Sequence, residues 1–376
     1  MLYRCLKYSC CFLLTFFFLP QADAQISFTG KVINEENDVP LQNAAVYFNN
    51  TTVGAVTNQQ GEFTFAQINF LNTDLVISCK GYELMLFKPA AAQLAAGKKF
   101  IFKIHPRPAE IQNKLSPGSE VKKRWLKIFY KNVLGISAAA DKTTISNEGS
   151  IYFVPGANKT SFIAYADTSL QIINTLLDFK INFNLVEFWY DEATGHCDFL
   201  GYAWYNEMGD AKKYEKNRRH FFYGSSLHFY RSLIANQLTQ QGFGIFIEEP
   251  FSDSLIEEQS KRAGALLLPE EQSKIVAVTA QQILFIDSTN NFSINVTGRL
   301  LVQYYRRPFA KKFIVQQNFT KGMLQNFVET FISFKSATPI VINSAGVVSD
   351  LSGVSYDGYW MYERLANTLP YDYHSE

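Results

Sequence analysis

From residue 26 to residue 105 the chain alternates apolar and polar positions in short runs, each closed by turn-forming residues. Ile26, Phe28 and Lys31-Val32-Ile33 form a first strand, and Asn34–Asp38 a polar turn. Pro40, which cannot donate to a ladder, suits a strand entry or edge. Ala44, Val46 and Phe48 then share one face at period two, and Thr51-Thr52 with Gly54 starts a second hairpin. In Thr57-Asn58-Gln59-Gln60-Gly61 the Asn58 side chain can bond its own backbone, and Gly61 can take positive φ without steric cost. Phe63 and Phe65 resume the buried face, Leu75–Ser78 and the Gly81-Tyr82 corner follow, and Phe100–Ile104 closes the series. Short strands at this spacing predict a seven-strand sandwich over residues 25–105, folding as a unit of its own.

The pattern then changes. His105-Pro106-Arg107-Pro108 ends the sandwich, because each proline biases its predecessor to extended backbone, and residues 106–118 read as a linker. Helical spacing of Val121, Trp125, Ile128 and Phe129 predicts a helix from Ser119. Strands are expected at 151–154, 160–165, 179–189 and 197–204, the last two joined by the turn Asp191–Gly195. Residues 210–240 switch to helical periodicity with the stripe Leu227, Tyr230, Ile234 and Leu238, capped at Gln241-Gly242. Strands are expected again around 275–287, 292–306, 311–319 and 324–335, and a short helix at 359–365. The fold class is therefore mainly β: an N-terminal immunoglobulin- or transthyretin-like sandwich, then an α+β domain over 119–376 with antiparallel strands and a few helices.

Residues 1–24 read as a signal peptide: Arg4 and Lys7, a short apolar core around Leu13–Leu19, and the small-x-small site Ala22-Asp23-Ala24. A lipoprotein signal fits poorly, because the apolar run follows Cys10 and Cys11. The run is also too short for an anchor, and no later stretch is apolar over the ~20 residues a membrane helix needs. Export to the periplasm, the outer membrane or the medium is expected. The chain holds 35 Lys and Arg against 34 Asp and Glu; losing Arg4, Lys7 and Asp23 leaves 33 of each, which argues against a nucleic-acid partner. Cys79 and Cys197 are the cysteines left after cleavage, and two cysteines make no disulfide framework, so both are expected unpaired.

Gly30, Val32, Pro40-Leu41, Ala44, Val46, Gly54, Thr57-Asn58, Gly61, Phe63 and Gly81-Tyr82, in this order, resemble the carboxypeptidase regulatory-like domain. The resemblance implies a transthyretin-like sandwich of the kind found at the N-termini of exported Bacteroidota proteins. Asn58 stands where the family usually has Asp, which keeps the turn chemistry. The resemblance brings no peptidase, because none of His105, His196, His220, His228 and His374 has the Glu three residues later that a zinc carboxypeptidase needs. The same module precedes large outer-membrane transporters, but a plug and a barrel of about 22 strands cannot fit in the remaining chain. The second half, through Asn217-Arg218-Arg219, Tyr223-Gly224-Ser225, Leu227–Leu233, Gln241-Gly242-Phe243 and Gly358–Ala366, resembles the C-terminal region that accompanies this module in exported Bacteroidota proteins, and implies no particular activity.

The densest polar and aromatic cluster is Tyr223–Arg231. Ser225 beside His228 suggests a nucleophile and base, yet the Gly-x-Ser-x-Gly elbow is missing, so Ser225 or Ser226 is better read as a helix cap. Arg218, Arg219 and Arg231 with Tyr223 are candidates for holding an anion or sugar acid, and Trp360 with Arg364 for an aromatic platform. The expected function is that of an exported, non-catalytic binding or scaffolding protein recognising a glycan, a peptide or an envelope partner, with no metal and no cofactor. The alternative is a hydrolase of cell-wall or dietary polymers working through residues 215–231.

Overall fold

The computed structural model describes residues 26–68, 73–89, 99–107, 119–263, 273–287, 291–308, 310–316, 326–335, 339–349 and 353–375. The expected signal peptide and all but the first two residues of the expected linker lie outside these. The protein is mainly β.

Seven strands build the sandwich: β1 (Ile26–Asn34), β2 (Ala45–Phe48), β3 (Gly54–Val56), β4 (Glu62–Ile68), β5 (Leu75–Ser78), β6 (Met85–Phe87) and β7 (Phe100–Ile104). One sheet runs β4-β1-β7, with β1 and β7 parallel, and the other runs β3-β2-β5-β6. Phe28, Val32, Ala44, Val46, Phe48, Phe63, Phe65 and Ile77 meet between them, the faces the alternation assigns. The corner at Asn58 forms as its chemistry requires: Asn58 Oδ1 accepts from the Gln60 and Glu62 amides at 2.9 and 2.8 Å, and Gly61 has φ +71°.

A second unit follows the helix Ser119–Val133. Its strands are β8 (Thr143–Ile145), β9 (Ile151–Pro155), β10 (Ser161–Ala166), β11 (Leu170–Asn174), β12 (Phe179–Asp191) and β13 (Cys197–Glu207). β12 is the spine: one edge pairs first with β11 and then with β10, and the other pairs with β13. A register shift between Leu185 and Glu187 bends it between the two pairings. The inward face is apolar and period-two, carrying Leu170, Ile172, Phe179, Ile181, Phe183, Ala203 and Tyr205, and Trp125 and Phe129 of the helix pack over the same core.

A third core stands on the antiparallel sheet of β14 (Phe243–Pro250), β15 (Ser273–Ala277), β18 (Arg299–Tyr304), β19 (Val328–Phe334) and β21 (Val354–Gly358), in the order β15-β14-β18-β19-β21. A small sheet of β16 (Leu284–Ile286), β17 (Phe292–Ile294) and β20 (Ile340–Ile342) completes it. Within residues 119–375 the described side chains form two cores.

Several element expectations need correcting. Residues 210–240 form the helices Ala211–Phe222, Ser226–Ile234 and Leu238–Gln241, because Gly224 at φ +85° and Asn236 at φ +54° turn the chain between them. The stripe is divided accordingly: Leu227 faces the second core, Tyr230 and Leu238 the third. Where a strand was expected from residue 311, Lys311–Gln316 is helical and buries the Phe313 ring 5.3 and 5.2 Å from Tyr359 and Tyr362. The last helix stops at Tyr362, because Arg364 is extended.

The chain end straps the units together. Ala366 N–H donates to Leu134 O, and Tyr371 N–H to Asn50 O of the sandwich. The Asp372 carboxylate accepts from the Thr52 amide at 3.0 Å and from its hydroxyl. Asn50 N–H donates to Ala203 O at 2.7 Å and Tyr205 N–H to Thr51 O at 2.9 Å, so a sandwich loop completes the free edge of β13.

Candidate functional site

The cluster singled out by sequence gathers around Gly224. Its N–H donates to His228 Nδ1 at 3.0 Å, its carbonyl accepts from Trp360 Nε1 at 2.8 Å, and a Cβ there would press into the Tyr304 ring. Ser225 Oγ caps its helix by accepting from the His228 amide at 3.2 Å. His228 is buried, with Nε2 3.2 Å from Gln241 Oε1, and burial pushes its imidazole down to about 4. It is therefore neutral, with Nδ1 accepting and Nε2–H donating. Both ring nitrogens are occupied by partners other than Ser225. Tyr223 lies at the surface with its ring against His228.

Each of the cationic candidates is engaged by partners within the chain. Arg218 is buried over the Phe179 ring at 4.1 Å, donating from Nε to Leu177 O at 3.0 Å and pairing with Glu207 at 2.6 Å. Arg219 pairs with Glu215 at 3.5 Å. Arg231 donates to three carbonyls, Ala345 O, Tyr371 O and Tyr373 O, at 3.0, 2.7 and 2.7 Å. Arg364 packs over the Phe199 ring at 5.5 Å. Cys79 and Cys197 are free thiols, both pushed up by burial, Cys197 to about 12. No group of His, Cys, Asp or Glu suited to a metal ion occurs among the described residues.

A different place is open and chemically equipped. Between the outer face of β2, β3 and β5 and the polar face of β11, β12 and β13 lies a cleft of about 710 Å³. The apolar alternation that fills the second core leaves Ser169, Gln171, Lys180, Asn182, Asn184, Tyr202, Trp204 and Asn206 on the opposite side of this sheet. Asn184 ties the floor together, since its Nδ2 donates to Tyr47 Oη at 2.6 Å. Its Oδ1 accepts from the Ser78 and Ser169 hydroxyls at 2.9 and 2.6 Å. Tyr47 stacks on Trp204 at 5.8 Å between ring centres, and a Cβ at Gly54 would collide with that indole. The Tyr47 phenol, outward-facing on β2, is fully buried by this contact, which holds its ionisation well above the ordinary value.

Above this tied floor, three amides have no side-chain partner among the described residues: Asn43 on the sandwich wall, and Gln171 and Asn182 on the sheet. Asn206, also in the lining, buries an Nδ2 without a hydrogen bond. Sequence reasoning passed over all of these, because polar residues alternating along a strand read as a solvated face. A signal was present: asparagine is disfavoured in strands, yet Asn182 and Asn184 occupy the middle of a thirteen-residue one.

Residues 28–96 match the family of the CarboxypepD_reg-like domain, in agreement with the sandwich described above. No curated protein matches the chain.

Proposed function

We propose that this is an exported, non-catalytic binding protein of the cell envelope, and that the cleft between the sandwich and the β11–β13 sheet holds its ligand, a hydroxyl-rich saccharide. The observation that carries the reading is the set of open amides at Asn43, Gln171 and Asn182 over a floor already satisfied through Asn184. A carboxamide offers donor and acceptor side by side, matching vicinal hydroxyls, and Trp204 borders the same space as an apolar surface. A peptide joining as an extra strand is less well served, because both walls are strand faces and the free edge of β13 is taken by Asn50 and Thr51. Export is supported by the sequence pattern of residues 1–24. No helix among the described residues is long and apolar enough to cross a membrane. A hydrolase centred on residues 215–231 would need a base free to take a proton from Ser225, and both nitrogens of His228 are engaged, Nδ1 by the Gly224 amide and Nε2 by Gln241.

Titration calorimetry of the full mature chain against a panel of plant and bacterial oligosaccharides tests the reading. Asn182→Ala removes an amide with no side-chain partner among the described residues, so the melt stays unchanged while affinity for the bound saccharide falls about tenfold. Saccharide binding that Asn182→Ala leaves intact, or no binding across the panel, overturns the assignment.

A further inference from the structure

We infer that the saccharide taken by this cleft is acidic, carrying carboxylates as uronic acids do; this rests on the cleft being the binding site. Three cations line it and come from separate parts of the chain: Lys80 beyond β5, Arg107 just after β7, and Lys180 on β12. None of the three has an ion-pair partner among the described residues, whereas Arg218, Arg299 and Arg307 elsewhere each pair with a glutamate. Asp167 is the one acid in the lining, which leaves an excess of two positive charges. In a chain whose charges otherwise balance, that local excess is not a by-product of composition.

The chemistry of the lining narrows the ligand. Unpaired cations on facing walls of a cleft sustain a positive potential that concentrates anions there. A guanidinium holds a carboxylate through two parallel hydrogen bonds, while the lysines act as point charges along a chain of repeated acids. The amides between them address the hydroxyls that a uronic acid shares with neutral sugars. A neutral saccharide would leave Lys80, Lys180 and Arg107 hydrated and idle, and a small inorganic anion would leave the amides unused.

The test pairs galacturonate, glucuronate and mannuronate oligomers with the same oligomers after reduction of their carboxyl groups, all against the full mature chain. At least one acidic oligomer should bind about tenfold or more tightly than its reduced partner, and that preference should shrink as ionic strength rises. The double variant Lys80→Gln/Lys180→Gln, which keeps Arg107, should cut the ratio severalfold while leaving the melt unchanged, since both side chains are exposed. Equal binding of acidic and reduced partners, or a preference that the double variant leaves undiminished, overturns the charge assignment while the cleft remains a saccharide site. Failure of every oligomer, acidic and neutral, overturns both.

Discussion

Arg231 shows how far residue type alone misleads at the scale of single side chains. An arginine in an aromatic, polar run suggests anion binding, but its guanidinium is spent on three backbone carbonyls, two of them in the chain's last turn. Burial lowers its ionisation, yet an arginine stays charged at any ordinary pH. Arg231→Leu would strip charge-assisted bonds from Ala345, Tyr371 and Tyr373 and should cost about 3 kcal/mol in urea unfolding, with affinity for the proposed saccharide ligand unaffected. His228 makes a second residue-scale prediction. Its folded value near 4 lies below the ordinary 6.5, so the unfolded chain binds the extra proton first. The stability it contributes is complete above about 6.5 and is lost as pH falls towards 4. His220 and His374 are lowered in the same sense. Melting temperatures of His228→Gln followed from neutral pH to pH 4.5 should therefore fall less steeply than those of the parent chain, and parallel curves would count against a buried neutral imidazole.

At the scale of elements, what could be read from sequence is what local chemistry decides. The sandwich was legible because Asn58, Gly61 and the alternation of Ala44, Val46 and Phe48 each specify the same strand and turn, without help from distant residues. The Asp191–Gly195 hairpin was legible for the same reason: Asp191 Oδ1 accepts from the Ala193 amide at 3.0 Å, and Gly195 takes φ +73°. Elements decided by tertiary packing were not. Leu170–Asn174 has only one strand period to declare itself and forms because β12 and β8 pair with it on either side. The helix Lys311–Gln316 was hidden in an apolar run that strand and helix patterns fit equally, until the rings of Tyr359 and Tyr362 arbitrate. The candidate cleft was harder still. It is made of residues from β2, β5, β11, β12 and β13, and no one strand carries enough of it to stand out in sequence.

The whole molecule joins units that sequence would keep apart. The sandwich has its own core, yet Tyr47 on its outer face is as fully buried as any core residue, and Asn184, Trp204, Ala203, Tyr205, Tyr371 and Asp372 all bind the sandwich from outside it. Docking of this kind fixes the two walls of the cleft at a set spacing, which a flexible tether could not do. Its energetic weight can be measured by cutting the chain at the expected boundary. Residues 25–105 expressed alone keep every residue of the sandwich core, so they should fold cooperatively. They lose the cover over Tyr47 and five hydrogen bonds that Asn50, Thr51 and Thr52 make with Ala203, Tyr205, Tyr371 and Asp372, and at roughly 1 kcal/mol for each bond and 2 kcal/mol for the phenol ring, urea unfolding should show a loss of about 7 kcal/mol against the intact chain. Amide exchange should locate the loss: Asn50, protected by Ala203 O in the intact chain, exchanges freely in the fragment, whereas Val46 and Ile77 at the centre of the sandwich stay slow. An excised sandwich as stable as it is in place, with Asn50 still protected, would mean that the units merely touch, and that the spacing of the cleft is set by something other than this contact.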